Sequence, residues 1–187
     1  MEEPAEHREA VTIATALWDN DTERLLRDWH NRAAAAAMAH YSLANRCRRR
    51  NVLLGVPVVV FSTVVGTSLF ATLNEASVNS SVRLVIGIVS VAAAVLAALQ
   101  TFLRFAERAE RHVTAADWYS AVRRGIAEVL ALPPSARQPP TAYLPAVRKE
   151  MSKIGQQAPE IGAPLWLKAA AAHGVEDAPP ARSSTES

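Results

Sequence analysis

Two uninterrupted apolar runs constrain this chain more than any other feature: VLLGVPVVVFSTVVGTSLFATL from Val52 to Leu73, and LVIGIVSVAAAVLAALQTFL from Leu84 to Leu103. Neither run contains a charged residue, and a short polar link from Asn74 to Arg83 joins them. Each holds about 20 residues, which in an α-helix rising about 1.5 Å per residue crosses the roughly 30 Å hydrocarbon layer of a bilayer. A buried helix of a soluble protein seldom needs that length. The pattern predicts an all-α fold, a membrane helical hairpin of two long helices that extend into cytosolic stems, accompanied by short terminal helices. The first expected partner is therefore the lipid bilayer.

Averages conceal this arrangement. A mean hydropathy of +0.04 spreads two apolar blocks over polar flanks, and the net charge of +2 with a pI near 9.0 reflects surplus arginine. The basic residues sit beside the runs and are not interleaved with aromatics, so no nucleic-acid partner is expected. Arg46, Arg48, Arg49 and Arg50 precede the first run, Arg104, Arg108 and Arg111 follow the second, and the link carries only Arg83. By the positive-inside rule these membrane-boundary residues place both termini in the cytoplasm, in a multi-pass protein of the inner (cell) membrane. The acidic start MEEPAEHREA has no apolar core and does not read as a cleavable signal peptide. The single cysteine, Cys47, forms no internal disulfide and fits a cytosolic face as a small packing residue. Asn79-Ser80-Ser81 is formally a glycosylation acceptor, but so short a link beside a bilayer is a poor one.

Taken in order, residues 1–20 predict a short N-terminal helix, with Ala10, Ile13, Ala14, Leu17 and Trp18 on one side and the polar cluster Asp19-Asn20-Asp21 as its end. Asn20 followed by Glu23 resembles a capping box that starts a long helix. Leu25, Trp29, Ala33, Ala36, His40, Leu43 and Cys47 then recur every three or four residues, and Ala33 to Ala37 adds helix propensity. No breaker intervenes before the first span (about 52–73). The hairpin with its stems occupies residues 21–132. After the second span (about 84–103) the helical period runs on through Phe105, Ala109, Val113, Ala116, Val122, Ile126 and Val129 to Pro133-Pro134. Folding about the link brings Arg46 to Arg50 beside Glu107 and Glu110, and Trp29 near Ala127. Residues 133–140 are a stiff Pro-rich linker, 141–174 a C-terminal helical segment with helices over Thr141 to Gln157 and Pro164 to Gly174, and 175–187 a disordered tail.

Within the first span Pro57 removes one backbone donor and is expected to kink the helix. Gly55, Val59, Ser62, Thr63 and Gly66 form a small, weakly polar stripe. Gly87, Ser90, Ala94, Ala97, Ala98 and Thr101 form another on the second span. Small faces let helices approach closely in lipid, so both stripes read first as helix packing; in an oligomer, Ser62, Thr63 and Thr67 are the best candidates to line a pore. Gln100 serves as interhelical glue. No charge inside either span selects ions, so discrimination in such a pore is expected to be weak unless the flanking arginines supply it.

Catalytic signatures are missing. There is no P-loop, GxGxxG, GxSxG or HExxH, and His7, His30, His40, His112 and His173 share no metal-ligand spacing. No enzyme activity, cofactor or metal is expected. The histidines read as satisfied or solvated, and Asp117, beside Trp118 and Tyr119, as a polar contact to the opposite stem.

The helix from Trp29 to Arg50 ending in YSLANRCRRRN, the paired spans, the RFAERAERHVTAADWYSAVRRGIAEVL helix and the late APEIG segment together resemble the SLATT family. These are two-transmembrane effector domains associated with SMODS nucleotidyltransferases and SLOG sensors in bacterial conflict systems. The resemblance covers roughly Asp21 to Leu167. It implies a membrane effector of bacterial defence that homo-oligomerises into a pore, or disrupts the inner membrane, when a partner signals infection. No sensor or nucleotide-synthesising domain is fused in this chain, which points to a separately encoded nucleotide-signalling or sensor protein or to a standalone form. The alternative is a non-conducting membrane scaffold that recruits a cytosolic partner.

Overall fold

In a computed structural model of the chain, residues 18–72 and 79–176 are described. The predicted N-terminal helix, apart from Trp18, and residues 177–187 of the predicted tail lie outside them. The elements are α1 (Asn20–Thr72), α2 (Ser80–Leu103), α3 (Phe105–Ala131), a 3-10 turn (Pro134–Ala136), α4 (Pro140–Gln157) and α5 (Ala163–Ala172). No strand occurs among the described residues.

Helix α1 runs for 53 residues without interruption, through Pro57, which leaves the carbonyl of Leu53 without its usual intrahelical donor. Its cap is Asp19 rather than Asn20: the Thr22 amide donates to Asp19 Oδ1 at 2.7 Å. The Thr22 hydroxyl, and after it the Thr22 amide, hold the Asp19 carboxyl below the ordinary carboxylate range. A charged cap also complements the helix dipole, and Glu23, expected to reach back, is drawn instead to Arg137.

The second long helix is not continuous. Arg104 adopts a left-handed conformation (φ 47°, ψ 42°) and divides α2 from α3. The flanking hydrogen bonds survive, from Arg104 N to Gln100 O at 3.3 Å and from Arg108 N to Arg104 O at 3.0 Å. What changes is the helical phase. Residues three apart share a face of a straight helix, yet Phe102 is 82% exposed and Phe105 only 8%. The left-handed residue is what lets one phenyl ring turn out and the next turn in.

The chain divides into two compact units, residues 1–42 with 111–187, and residues 43–110. The core of the first is built around the alanine run. Ala33 to Ala37 are buried all round α1, against Ala115 and Tyr119 of α3, Ile154 and Ala158 from α4 and its C-cap, and Trp166, Ala169 and Ala170 of α5. Methyl side chains let several helices approach one at once, which larger residues would prevent. Gly174 (φ +65°) ends α5, and the Val175 amide bonds back to Ala170 O at 2.9 Å, turning Val175 into this core rather than into a tail.

A second cluster joins Trp18, Leu26, Ile126 and Val147, with Trp29 and Tyr143 packed against it. Here the Pro133 to Pro140 segment is docked, not a bare spacer. Arg137, its side chain only 5% exposed, donates to Glu23 Oε1 (2.6 Å) and to the carbonyls of Leu132 (2.8 Å) and Leu130 (3.2 Å), and lies over the Trp18 ring. Trp18 Nε1 in turn donates to Gln138 O at 3.1 Å. These bonds hold the Glu23 carboxyl below its ordinary range.

Candidate functional site

Residues 43–110 contain both apolar segments. Half-buried positions recur alternately three and four apart, at Asn51, Leu54, Val58, Phe61, Val65 and Ser68 on α1 and, with the buried Ala93, at Ile86, Val89, Leu96, Gln100 and Leu103 on α2; Gly55, Pro57, Gly66, Ser90, Ala92 and Ala97 are half-buried beside them. This is heptad spacing, the signature of a helix that buries one narrow seam. Across that seam a methyl added at Gly55 would lie 3.1 Å from Gln100 Nε2, and the Arg50 guanidinium sits 5.9 Å from the centre of the Phe105 ring. Gln100 thus occupies the space left by the glycine, the position from which it was expected to act as interhelical glue.

Most of the apolar surface outside the seam is uncovered. The most apolar stretch of α1 buries none of its residues, and Ala93 alone is buried on α2. Leu53, Val59, Leu84, Ile88 and Val91 are each more than half exposed. The predicted small stripes divide accordingly. Gly55 and Ser90 lie on the seam side, and Gly66 is half-buried; Ser62, Thr63, Thr67, Gly87, Ala94 and Ala98 are exposed. A methyl group added at Gly66 or Gly87 would meet nothing within 4 Å. The exposed hydroxyls are satisfied by their own helix: Thr63 donates to Val59 O (2.8 Å) and Thr67 to Thr63 O (2.9 Å), as Ser90 does to Ile86 O (2.8 Å). So bonded, a threonine can face either hydrocarbon or water.

At one end of this surface stand the basic residues. Arg46, Arg48, Arg49, Arg50, Arg104 and Arg108 are all exposed, as is Arg111 of the other unit. Arg104 Nη2 meets Glu107 Oε2 at 2.5 Å.

The other unit holds a feature the sequence reading did not pair. His40 Nδ1 and His112 Nδ1 lie 3.0 Å apart, both buried, and the Tyr119 ring stacks on His40 at 5.8 Å. Two neutral imidazoles satisfy this contact when one Nδ1 donates and the other accepts. Burial, and secondarily the facing His112, pushes His40 down to about 4, and burial lowers His112 as well. Next to it Tyr41 Oη donates to Asp117 Oδ1 at 2.5 Å, a polar contact between α1 and α3 that is exposed rather than buried. The carboxylate raises the Tyr41 phenol. Among the described residues no three histidine, cysteine or carboxylate side chains come together as a metal site. Comparison with protein-family models, curated proteins and solved structures finds no match to this chain.

Proposed function

We propose that the protein is a membrane effector of the SLATT type, whose paired apolar helices form a hairpin in the inner membrane and homo-oligomerise into a pore or lesion that dissipates the membrane potential when a separately encoded partner is activated. The observation that carries this reading is the exposure of the two apolar segments. Two helices are long and apolar enough to span a bilayer, and almost none of their most apolar surface is buried. A core helix of a soluble protein passes the same length test but is covered; these are not. In water, leaving a valine or leucine side chain exposed forgoes about 1.5–3 kcal/mol of burial, and here the loss would recur along every turn. In lipid the loss disappears. The Gly55–Gln100 and Arg50–Phe105 contacts support an antiparallel hairpin, and the arginines at the cytosolic end support its orientation. Small residues left on the outer faces give further copies room to pack. No catalytic chemistry is assigned.

The test is the membrane potential of bacteria that express the full chain, followed with a potential-sensitive dye together with growth. Rapid depolarisation is expected on activation or overexpression. A membrane-inserted protein that leaves potential and growth intact under every activating condition would refute the effector reading and favour the scaffold, for which the compact helical unit around Ala33 to Ala37 offers a docking body.

A further inference from the structure

The conducting reading leaves open what passes, and on the basis of that reading we infer that the pore prefers small inorganic anions, selected by a collar of arginines at its cytosolic mouth. Within residues 43–110 six exposed arginines stand just outside the apolar segments: Arg46, Arg48, Arg49 and Arg50 on α1, and Arg104 and Arg108 beyond α2. The Arg50 guanidinium over the Phe105 ring fixes the two groups at one level. Arg46 to Arg50 occupy about 6 Å of helix axis.

Their angular spread makes the inference independent of how copies are arranged. At about 100° per residue, no arc of α1 wider than about 160° lacks one of these four arginines. Whichever face of α1 turns toward an axis, a guanidinium borders the opening. The opposing carboxylates at this level are Glu107, which meets Arg104 at 2.5 Å, and Glu110. Six cations thus face two anions, and neither Val52 to Leu73 nor Leu84 to Leu103 carries a charge that could reverse the field. Low-dielectric walls around a charged mouth concentrate ions of opposite sign. A unit charge about 4 Å from an ion in water is worth about 1 kcal/mol, about a fivefold change in local ion concentration.

The experiment is the reversal potential of the purified full chain in planar bilayers of neutral lipid under a potassium chloride gradient. Chloride is expected to permeate about fivefold more readily than potassium near 0.1 M salt, where the Debye length is about 10 Å, and the preference is expected to shrink near 1 M, where it is about 3 Å. Arg49→Glu should move the ratio toward potassium. Replacing Arg46, Arg48, Arg49 and Arg50 together by Gln should bring it to about one; if that variant does not insert, the single substitution decides. Conductance with equal permeation, with a potassium preference, or with a chloride preference unchanged by these substitutions overturns the inference and leaves the pore reading standing. Inserted protein that stays non-conducting in the bilayer, and leaves the potential of expressing cells intact under every activating condition, overturns both.

Discussion

Acidification should loosen the helical unit of residues 18–42 and 111–176 well before ordinary carboxylates titrate, and the cause is the His40–His112 pair. Burial favours the neutral form of both imidazoles, and as a neutral pair one Nδ1 donates to the other across 3.0 Å. A proton added to the acceptor destroys the bond and places a charge where His40 is 1% exposed. His40 is held near 4, against 6.5 for the free side chain. The folded value is depressed, so from pH 6.5 down to 4 the unfolded chain binds more protons than the native one, and stability falls with pH across that window and levels off below it. For His40 alone the loss relative to pH 7 is about 2 kcal/mol by pH 5 and about 3 kcal/mol by pH 4. His112, lowered in the same direction, adds to it. The assay is denaturant unfolding in detergent followed by tryptophan fluorescence. All four tryptophans, Trp18, Trp29, Trp118 and Trp166, belong to this unit, so the signal is free of the apolar segments. The control is the double variant His40→Phe, His112→Leu, which should keep a flat profile between pH 7 and 5. A wild-type loss below about 1 kcal/mol at pH 5, or an equal slope in the double variant, would refute the linkage to this pair.

Three further outcomes follow from the packing. Ala35→Leu, at a position with no exposed surface, should destabilise the same unit by about 1–3 kcal/mol, read from the fluorescence midpoint, because helices on several sides leave the longer side chain nowhere to go. Arg137→Met removes the donor shared by Glu23 and two carbonyls, and should cost about 2–4 kcal/mol in the same assay, with the Glu23 carboxylate returning toward its ordinary range. At Arg104 a β-branched residue should be worse than the native one and asparagine no worse: Arg104→Val should lower stability by about 1–2 kcal/mol and Arg104→Asn should change it little, judged by thermal loss of helical circular dichroism.

Much of the fold was legible because its causes are periodic. The apolar runs and the three-to-four spacing of α1 and α3 are local patterns, and prolines and Gly174 mark the ends of the later elements. The break at Arg104 left no such mark. An arginine carries no intrinsic preference for the left-handed region, and only the opposite fates of Phe102 and Phe105 show why the chain turns there. The Arg137 clasp was hidden for a different reason. Its partners lie 114 residues away and on main-chain carbonyls, which no side-chain pattern advertises. The histidine pair stood closer to view: folding about the link places His40 opposite Ala116, one helical turn from His112 on the same face. Weighing each histidine singly for a metal or a catalyst concealed that neighbour.

The small-residue stripes were the hardest to place, because one composition serves two faces. On α2 the seam passes through Ile86, Val89, Ala93, Leu96 and Gln100, while Gly87, Ala94 and Ala98 lie about 120–160° from its centre and are exposed. An alanine or glycine fits either location, so composition alone does not separate the intramolecular seam from an outer one. Burial does. Ala93 is buried and Ala94 exposed, so a bulky residue at Ala93 crowds the inside of this unit and one at Ala94 meets what surrounds it. Ala93→Leu should therefore disturb the fold of residues 43–110 itself, seen as a lower helix-melting temperature at any protein concentration. Ala94→Leu should leave the melting of the single copy within about 0.5 kcal/mol of wild type and act on assembly, read as a shift toward smaller species in detergent. If both substitutions act alike on melting and on assembly, the division of α2 into an inner and an outer face is wrong, and with it the argument that the outer face is what a second copy meets.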